Sequence, residues 1–507
     1  MERYFLGVDN GGTVIKAALF DVCGRQIAVA SLKTPVFSPK PDYQERDMED
    51  LWLRNCACIR SVLQESGISS RQVAGLAVCG HGKGLYLWGR NGAPAYPAIA
   101  STDQRARAYP ARWKAVGIHQ RLFPQLCQEL IPCQQAALLA WMKDHEPETY
   151  RSIQWVFSAK DYIRFRLTGQ PFSEETDLSG SGLMDVRGGR VDRELLEALG
   201  IGEVYDQIPP LCRSFDLCGA VTPEAARLTG LSEGTPVAGG MFDIDACAVA
   251  MDITSPDRIC TITGTWSINA AISPHLRLDW PVAMRSRYAV PGYYLLEECS
   301  PTGAGNLEWV LEHLAGSVSL PAGSSIYDLV NEQVSSLAPA DCPVYFLPFL
   351  YGSNSHPFAR SSFVGLTSAH TNAHLLRAVY EGVAYSHKIH IQRLRQGQLA
   401  SAPVRMGGGA ANSQVWAQMF ADVLNAPIDR VQGVQELGAL GCAMAAAVAV
   451  GVYPDYAAAA QAMVRLGGRL DPNPELVRVY QSKFEVFQLI LEALSPVWDR
   501  LTQESKE

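Results

Sequence analysis

The opening of the chain constrains its fold more than any other feature. Residues 4–8, 14–20 and 26–31 read as three strands, joined by the turns Asn10-Gly11-Gly12 and Asp21-Val22-Cys23-Gly24, whose residue types suit tight turns. This pattern predicts an antiparallel meander. Residues 48–65 then have the period of a helix, with Trp52, Cys56, Ile59 and Leu63 on one face, Asp47 in the capping position and Gly67 as the stop. Residues 73–78 return as a buried strand. The order strand, strand, strand, helix, strand predicts a mixed α/β sheet covered by helices.

A weaker echo follows, in which residues 258–263 and 267–272 are strand-like around the turn Gly264-Thr265. Two related halves are therefore expected, divided near residues 239–252 into domains 1–248 and 249–507 with a cleft between them. A chain of 507 residues has room for two large domains, at roughly 150 residues or more apiece. Downstream, residues 372–394 form a helix with Leu376, Val379 and Val383 on one face. Ser413 caps another with the stripe Val415, Trp416, Met419, Phe420, Val423 and Leu424, and a last amphipathic helix starts near Pro474. The small-residue run from Gly438 to Tyr453 falls short of the roughly 20 residues of a membrane span and is expected as a tightly packed helix.

Composition excludes several function classes. Apolar residues are 48% and charged residues 19%, the balance of an ordinary globular protein. The net charge of −8, without a basic block, argues against nucleic acid as a partner. The 13 cysteines lack zinc-type spacing and are expected as buried reduced thiols. Asp9 interrupts the first apolar run too early for a signal-peptide core, so a cytoplasmic location without membrane contact is expected.

Several groups could carry chemistry. Asp9-Asn10-Gly11-Gly12-Thr13 with Lys16 joins two strands by a glycine turn, where backbone N–H groups could approach a phosphate and Thr13 and Lys16 add donors. A plain hairpin is the alternative. Gly264-Thr265-Trp266-Ser267 follows the same logic in the second half. Gly407-Gly408-Gly409-Ala410, between a short strand and the helix capped by Ser413, could lie against a base or ribose. The chain has neither a dinucleotide fingerprint here nor a P-loop. Asp243 and Asp245 end a buried strand near the domain junction; Asp243 suits a base for an alcohol, Asp245 a helix cap. In Gly80-His81-Gly82-Lys83-Gly84, His81 and Lys83 could face sugar hydroxyls or form a solvated turn. Asp103 with Arg105 reads as a second polar candidate or as a surface ion pair. His387 and His390 share a helix face without a third ligand, so packed histidines are expected there.

Together these segments resemble the carbohydrate kinases named after their Phe-Gly-Gly-Tyr signature, members of the sugar kinase, Hsp70 and actin superfamily. The resemblance rests on Gly7 to Thr13 with Lys16, on Ala159 to Gly169, on the run with Thr176, Asp177 and Ser179, and on Gly352 to Gly382. It extends through Gly407 to Asp422 and Glu436 to Gly441. It implies two ribonuclease-H-like domains of the actin-like ATPase superfamily that close on ATP, Mg²⁺ and a small-molecule sugar. Asp243 would be the catalytic base and also touch the substrate, with His81, Lys83 and Asp103 beside it. Asp9 would hold Mg²⁺ through water. Gly11, Gly12, Thr13, Lys16, Gly264 and Thr265 would hold phosphates, and Gly408, Gly409 and Asn412 the adenosine. The loop Gly80-His81-Gly82-Lys83-Gly84 is similar to the branch acting on L-xylulose or 3-keto-L-gulonate, so a ketopentose is the expected acceptor. D-xylulose, a pentitol, gluconate or glycerol, or a non-catalytic sugar- or nucleotide-binding regulator, are the alternatives, and homodimer formation is left open. Ser101-Thr102-Asp103-Gln104-Arg105 lacks the tryptophan usual before the family's Asp-x-Arg.

Overall fold

The computed structural model describes residues 2–264, 266–314, 323, 325–395, 402–433 and 436–504. The expected meander is formed by β1 (Tyr4–Asn10), β2 (Val14–Asp21) and β3 (Gln26–Lys33), paired antiparallel, and β4 (Val73–Gly80) runs parallel to β1. Helix α1 (Met48–Ser66) begins where Asp47 accepts the Asp50 N–H at 2.8 Å and stops at Gly67, whose φ of 65° lies in the left-handed region that glycine adopts without strain. With β5 (Leu217–Ala220), β6 (Pro236–Ala238) and β7 (Met241–Phe242), the first sheet has the order β5-β6-β4-β1-β2-β3, and β7 also pairs with β4.

The second half repeats this plan. Its strands are β8 (Ile259–Thr263), β9 (Ser267–Ser273), β10 (Met284–Arg287), β11 (Tyr294–Ser300), β12 (Val404–Gly407), β13 (Ile428–Val431) and β14 (Leu466–Leu470), in the order β10-β11-β9-β8-β12-β13-β14. The antiparallel trio β11-β9-β8 followed by parallel β12 and β13 matches β3-β2-β1 followed by parallel β4 and β6. The remaining helices used below are α2 (Ala159–Thr168), α3 (Asp243–Ala250), α4 (Asn372–Leu394), α5 (Gln414–Leu424), α6 (Leu437–Ala449) and α7 (Pro474–Glu504). Ser413 caps α5 by accepting the Trp416 N–H. All 13 cysteines are free thiols, and among the described residues no helix is long and apolar enough to cross a membrane.

Strand alternation decides what reaches the space between the domains. On β1, Tyr4, Leu6 and Val8 enter the core beneath α1, while Phe5 turns the other way into a core shared by both domains. Gly7 and Asp9 lie on the Phe5 face. There α6, from the second half of the chain, packs so closely that a Cβ on Gly7 would sit 1.8 Å from the Ala439 carbonyl oxygen, and one on Gly441 would sit 2.1 Å from that of Ala246 in α3. The small-residue run thus forms a buried helix wedged between the domains.

Candidate active site

Asp9 emerges two residues beyond Gly7, at the end of β1. Its Oδ1 is buried and has no hydrogen-bond partner, and its Oδ2 lies so near Gly438 that a Cβ there would be 2.6 Å away. Burial raises its pKa, and Lys16 partly offsets that. Lys16, on β2 beside it, forms a 2.7 Å ion pair with Glu436, at the entry of α6, so the first hairpin is tied to the second domain. Burial opposes the charge on Lys16, but Glu436 outweighs it and the ammonium titrates above its ordinary value. The turn between β1 and β2 leaves Gly12 and Thr13 exposed, with nothing within 4 Å of a Cβ built on Gly12. Asn10 is not part of an open turn: its amide exchanges hydrogen bonds with that of Asn55 at 2.7 and 3.1 Å, anchoring the strand end to α1.

Asp243 is the first residue of α3, half-buried, and its carboxyl is pushed well above the usual range by burial and then by the charges of Asp9, Asp177 and Glu297, with Lys83 acting in the opposite sense. The charges that act on it thus come from both halves of the chain, Asp9 and Asp177 from the first and Glu297 from the second. Asp245 does not cap α3, whose cap position is Phe242. It is buried and accepts the Ala289 N–H at 2.9 Å, which ties α3 to the second domain.

Behind Asp243 lies a buried polar chain. The Phe242 N–H donates to Thr176 Oγ1 at 2.9 Å, the Thr176 hydroxyl donates to Glu174 at 2.7 Å, and Lys160 of α2 stands 3.2 Å from that carboxylate. Burial raises Glu174 to about 7 and Asp177 to about 6. Asp177 Oδ2 is buried without a hydrogen-bond partner.

The loop after β4 places His81 and Lys83 differently. His81 is 6% exposed, its Nε2 is 3.1 Å from the Tyr86 hydroxyl, and burial lowers its pKa to about 3, so the imidazole is neutral. Lys83 projects its ammonium 5.6 Å from the Phe242 ring centre. Asp103 is neither a surface ion pair nor a free acceptor. It has no exposed side-chain area, and its oxygens are taken by a bidentate Arg105 and by the Gln44 N–H at 2.7 Å, so it braces the loop.

In the second domain, Gly409 and Asn412 line a cavity of about 380 Å³ together with Ala304, Tyr327, Asn331 and Trp416. Tyr380 stacks on Trp416 at 4.0 Å, and Asn331 Oδ1 accepts from Ser413 at 2.6 Å and Tyr380 at 3.1 Å. Gly408 begins that segment with φ 84°. Gly264 follows the strand β8, with open space around a Cβ built on it, and Thr265 lies outside the described residues. His387 and His390 are packed, the first between Thr261, Thr263 and Asn269, the second between Ser300 and Glu298. Among the described residues no three His, Cys, Asp or Glu side chains group as a metal site.

The reading of the sequence passed over Glu297 and Asn331. Glu297 could have been found, because two adjacent carboxylates inside the otherwise apolar strand β11 break its pattern. Glu298 is spent on His390 and Arg393, whereas Glu297 acts on Asp243 and Lys83. Asn331 gave no local signal.

Two repeated α/β sheets thus meet at an acidic cleft, with a separate cavity beside a glycine-rich turn. Residues 4–250 match the N-terminal domain, and residues 260–450 the C-terminal domain, of the FGGY family of carbohydrate kinases, and the chain belongs to that family. It is 38% identical over 506 residues to an L-xylulose/3-keto-L-gulonate kinase of Escherichia coli, covering 100% of both chains. It is 36% identical to a probable L-xylulose kinase of Pasteurella multocida, over 97% of this chain and 99% of the other. The crystal structure of xylulose kinase from Rhodospirillum rubrum superposes with a TM-score of 0.87 at 29% identity, over 98% of this chain and 100% of that one.

Proposed function

We propose that the protein transfers the γ-phosphoryl group of ATP to a primary hydroxyl of a small ketose, L-xylulose or a related ketopentose or 3-keto-L-gulonate, in the cytoplasm. The observation that carries this reading is the placement of Asp243, which shares one electrostatic field with Asp9, Lys83 and Glu297 where the domains meet. On this reading the two repeated sheets are ribonuclease-H-like domains, dividing at residues 248/249, that close around both substrates.

The residues present suit Mg²⁺. The ion keeps several waters and takes one or two carboxylates besides the phosphates, and Asp9 offers one buried oxygen without a partner. Bound there, the ion would neutralise charge developing on the phosphates. Asp243 then accepts the proton of the acceptor hydroxyl as its oxygen bonds to the γ-phosphorus and the bond to ADP breaks. Gly12 and Gly264 leave room for phosphate oxygens to approach backbone N–H groups, Gly11, where a Cβ would lie 2.8 Å from the Val14 carbonyl oxygen, keeps the first turn tight, and the cavity at Gly409 and Asn412 receives the adenosine. Thr13 completes the first phosphate turn, Thr265 is assigned to the second from the sequence alone, and Lys16, held by Glu436, keeps the hairpin against the second domain. Closure excludes water, a competing acceptor.

The test is ADP release with ATP-Mg²⁺ across pentuloses, hexuloses, their acids and polyols. A response to ketoses is expected, with Asp243→Asn lowering sugar-dependent turnover by about 10²–10⁴-fold while ATP affinity stays within about threefold. Response to a non-ketose alone, or full turnover by the variant, refutes the reading.

A further inference from the structure

The loop Gly80-His81-Gly82-Lys83-Gly84 contains one residue whose backbone is costly. Lys83 has φ 67°, a left-handed conformation that a lysine rarely adopts, between Gly82 and a Gly84 at φ 74°. A Cβ on Gly82 would lie 2.6 Å from the Phe242 ring, and one on Gly84 2.6 Å from the Ile99 carbonyl oxygen, so both glycines are needed to thread the loop. The result is that the lysine stem leaves the loop toward Phe242 and the space between the domains.

There Lys83 lines a small cavity with Thr176, Asp177 and Phe242 of the first domain and Met284 and Ser286 of the second, and it is the sole cation among those residues. Its ammonium makes no ion pair within 4 Å and no hydrogen bond to any described residue. By contrast Lys160 is ringed by three carboxylates, those of Asp161, Glu174 and Asp177. Glu297 and Asp243 act on Lys83 only at longer range and keep it charged. Three donors of a half-buried ammonium thus remain for something else; Asp177, which lines the same cavity, leaves its Oδ2 without a hydrogen bond, 3.9 Å from Lys160 Nζ.

The field of the site turns this into a choice between substrates. Asp9, Asp177, Asp243 and Glu297 make the cleft acidic, so an acceptor carrying a carboxylate is repelled unless it meets a cation directly. A neutral ketose asks only for hydrogen bonds. We infer that Lys83 is the specificity-determining residue that admits a ketose with a carboxylate at the end remote from the phosphorylated hydroxyl, so that the acceptor is a keto acid of the sugar series in preference to the neutral pentulose. This rests on the function proposed above and narrows its substrate.

The experiment compares kcat/KM for 3-keto-L-gulonate and L-xylulose in the wild type, Lys83→Met and Lys83→Arg, with thermal melts to confirm folding. The wild type is expected to favour the acid. Lys83→Met should lower kcat/KM for the acid by at least a hundredfold and for L-xylulose by about tenfold, and Lys83→Arg should keep most of the acid activity. In the wild type, the KM of the acid should rise with ionic strength while that of L-xylulose changes little. Equal losses for both substrates in Lys83→Met, or a wild type that phosphorylates L-xylulose but not the acid, overturns the inference and leaves the kinase reading standing. A wild type that phosphorylates no ketose at all overturns both. Should Lys83→Met fail to fold, the Lys83→Arg ratio and the salt dependence decide: acid activity no lower than that for L-xylulose in Lys83→Arg, together with a salt-sensitive KM, supports the inference, and a salt-insensitive acid KM overturns it.

Discussion

The hydroxyl of Thr176 accepts the backbone N–H of Phe242 at 2.9 Å, one residue ahead of Asp243. Because the same hydroxyl donates to Glu174, its lone pair is directed at Phe242 and the first turn of α3 is held from behind. Thr176→Val should therefore lower kcat by about 10–100-fold, the cost of a misplaced catalytic group, with KM for sugar and ATP changed by less than about threefold. Thr176→Ser should restore most of kcat. A purely structural loss would appear in the melting temperature and would not separate kcat from KM.

The pH profile follows from the charges around Asp243. A carboxyl pushed above its usual range must lose its proton before it can act as a base, so sugar-dependent kcat/KM should rise with pH along an acidic limb displaced upward from the ordinary carboxylate value. Glu297 is one of the raising charges. Glu297→Gln should move that limb to lower pH, and an unmoved limb would separate Glu297 from Asp243.

Stability should depend on Glu174 in a defined direction. Its folded pKa of about 7 lies above the ordinary 4.5, so its contribution is fully present below the ordinary value and is lost as pH rises through about 7. Between pH 4.5 and 7.5 the wild type should lose melting temperature relative to Glu174→Gln, which mimics the protonated form and keeps the acceptor for Thr176. Parallel melting curves across that range would contradict this.

Glycine is required at one end of β1 and not in the turn beyond it. Gly7→Ala places a methyl group against the Ala439 backbone and should destabilise the joint between the domains by about 3 kcal/mol or more, within the range that overpacking costs. Gly12→Ala points into open space and should change the melting temperature little. The same variant should raise the KM for ATP if phosphate oxygens approach that turn, and denaturant melts with ATP titrations measure both.

Asn331 organises the adenosine cavity from outside any sequence motif. Removing its acceptor in Asn331→Leu leaves the Ser413 and Tyr380 hydroxyls without their partner. The KM for ATP should rise by about tenfold, the scale of one or two lost hydrogen bonds, with the KM for sugar unchanged.

Much of this architecture was legible locally. The meander, the cap and stop of α1, the length of α4 and the Ser413 cap depend on periodicity and on capping residues within a few positions, and each appears where the sequence places it. The misreadings concern groups whose burial or partners are set far away in the chain. The pairing of Asp103 with Arg105 was legible, but its burial beneath Gln44, 59 residues distant, was not, and Asp245 looked like a cap because Ala289 is 44 residues distant.

By itself the sequence determined the two repeated sheets and the family, because strand alternation, turn chemistry and ordered motifs are short-range. Only the tertiary structure decided which carboxylates stay free. Asp103 is buried and claimed by the Gln44 backbone as well as by Arg105, while Asp9 keeps an oxygen without a hydrogen bond, and Lys83 makes no ion pair while Lys160 is ringed by acids. Burial and the charges that surround a group are set by residues brought together from both halves of the chain, and no local pattern records them.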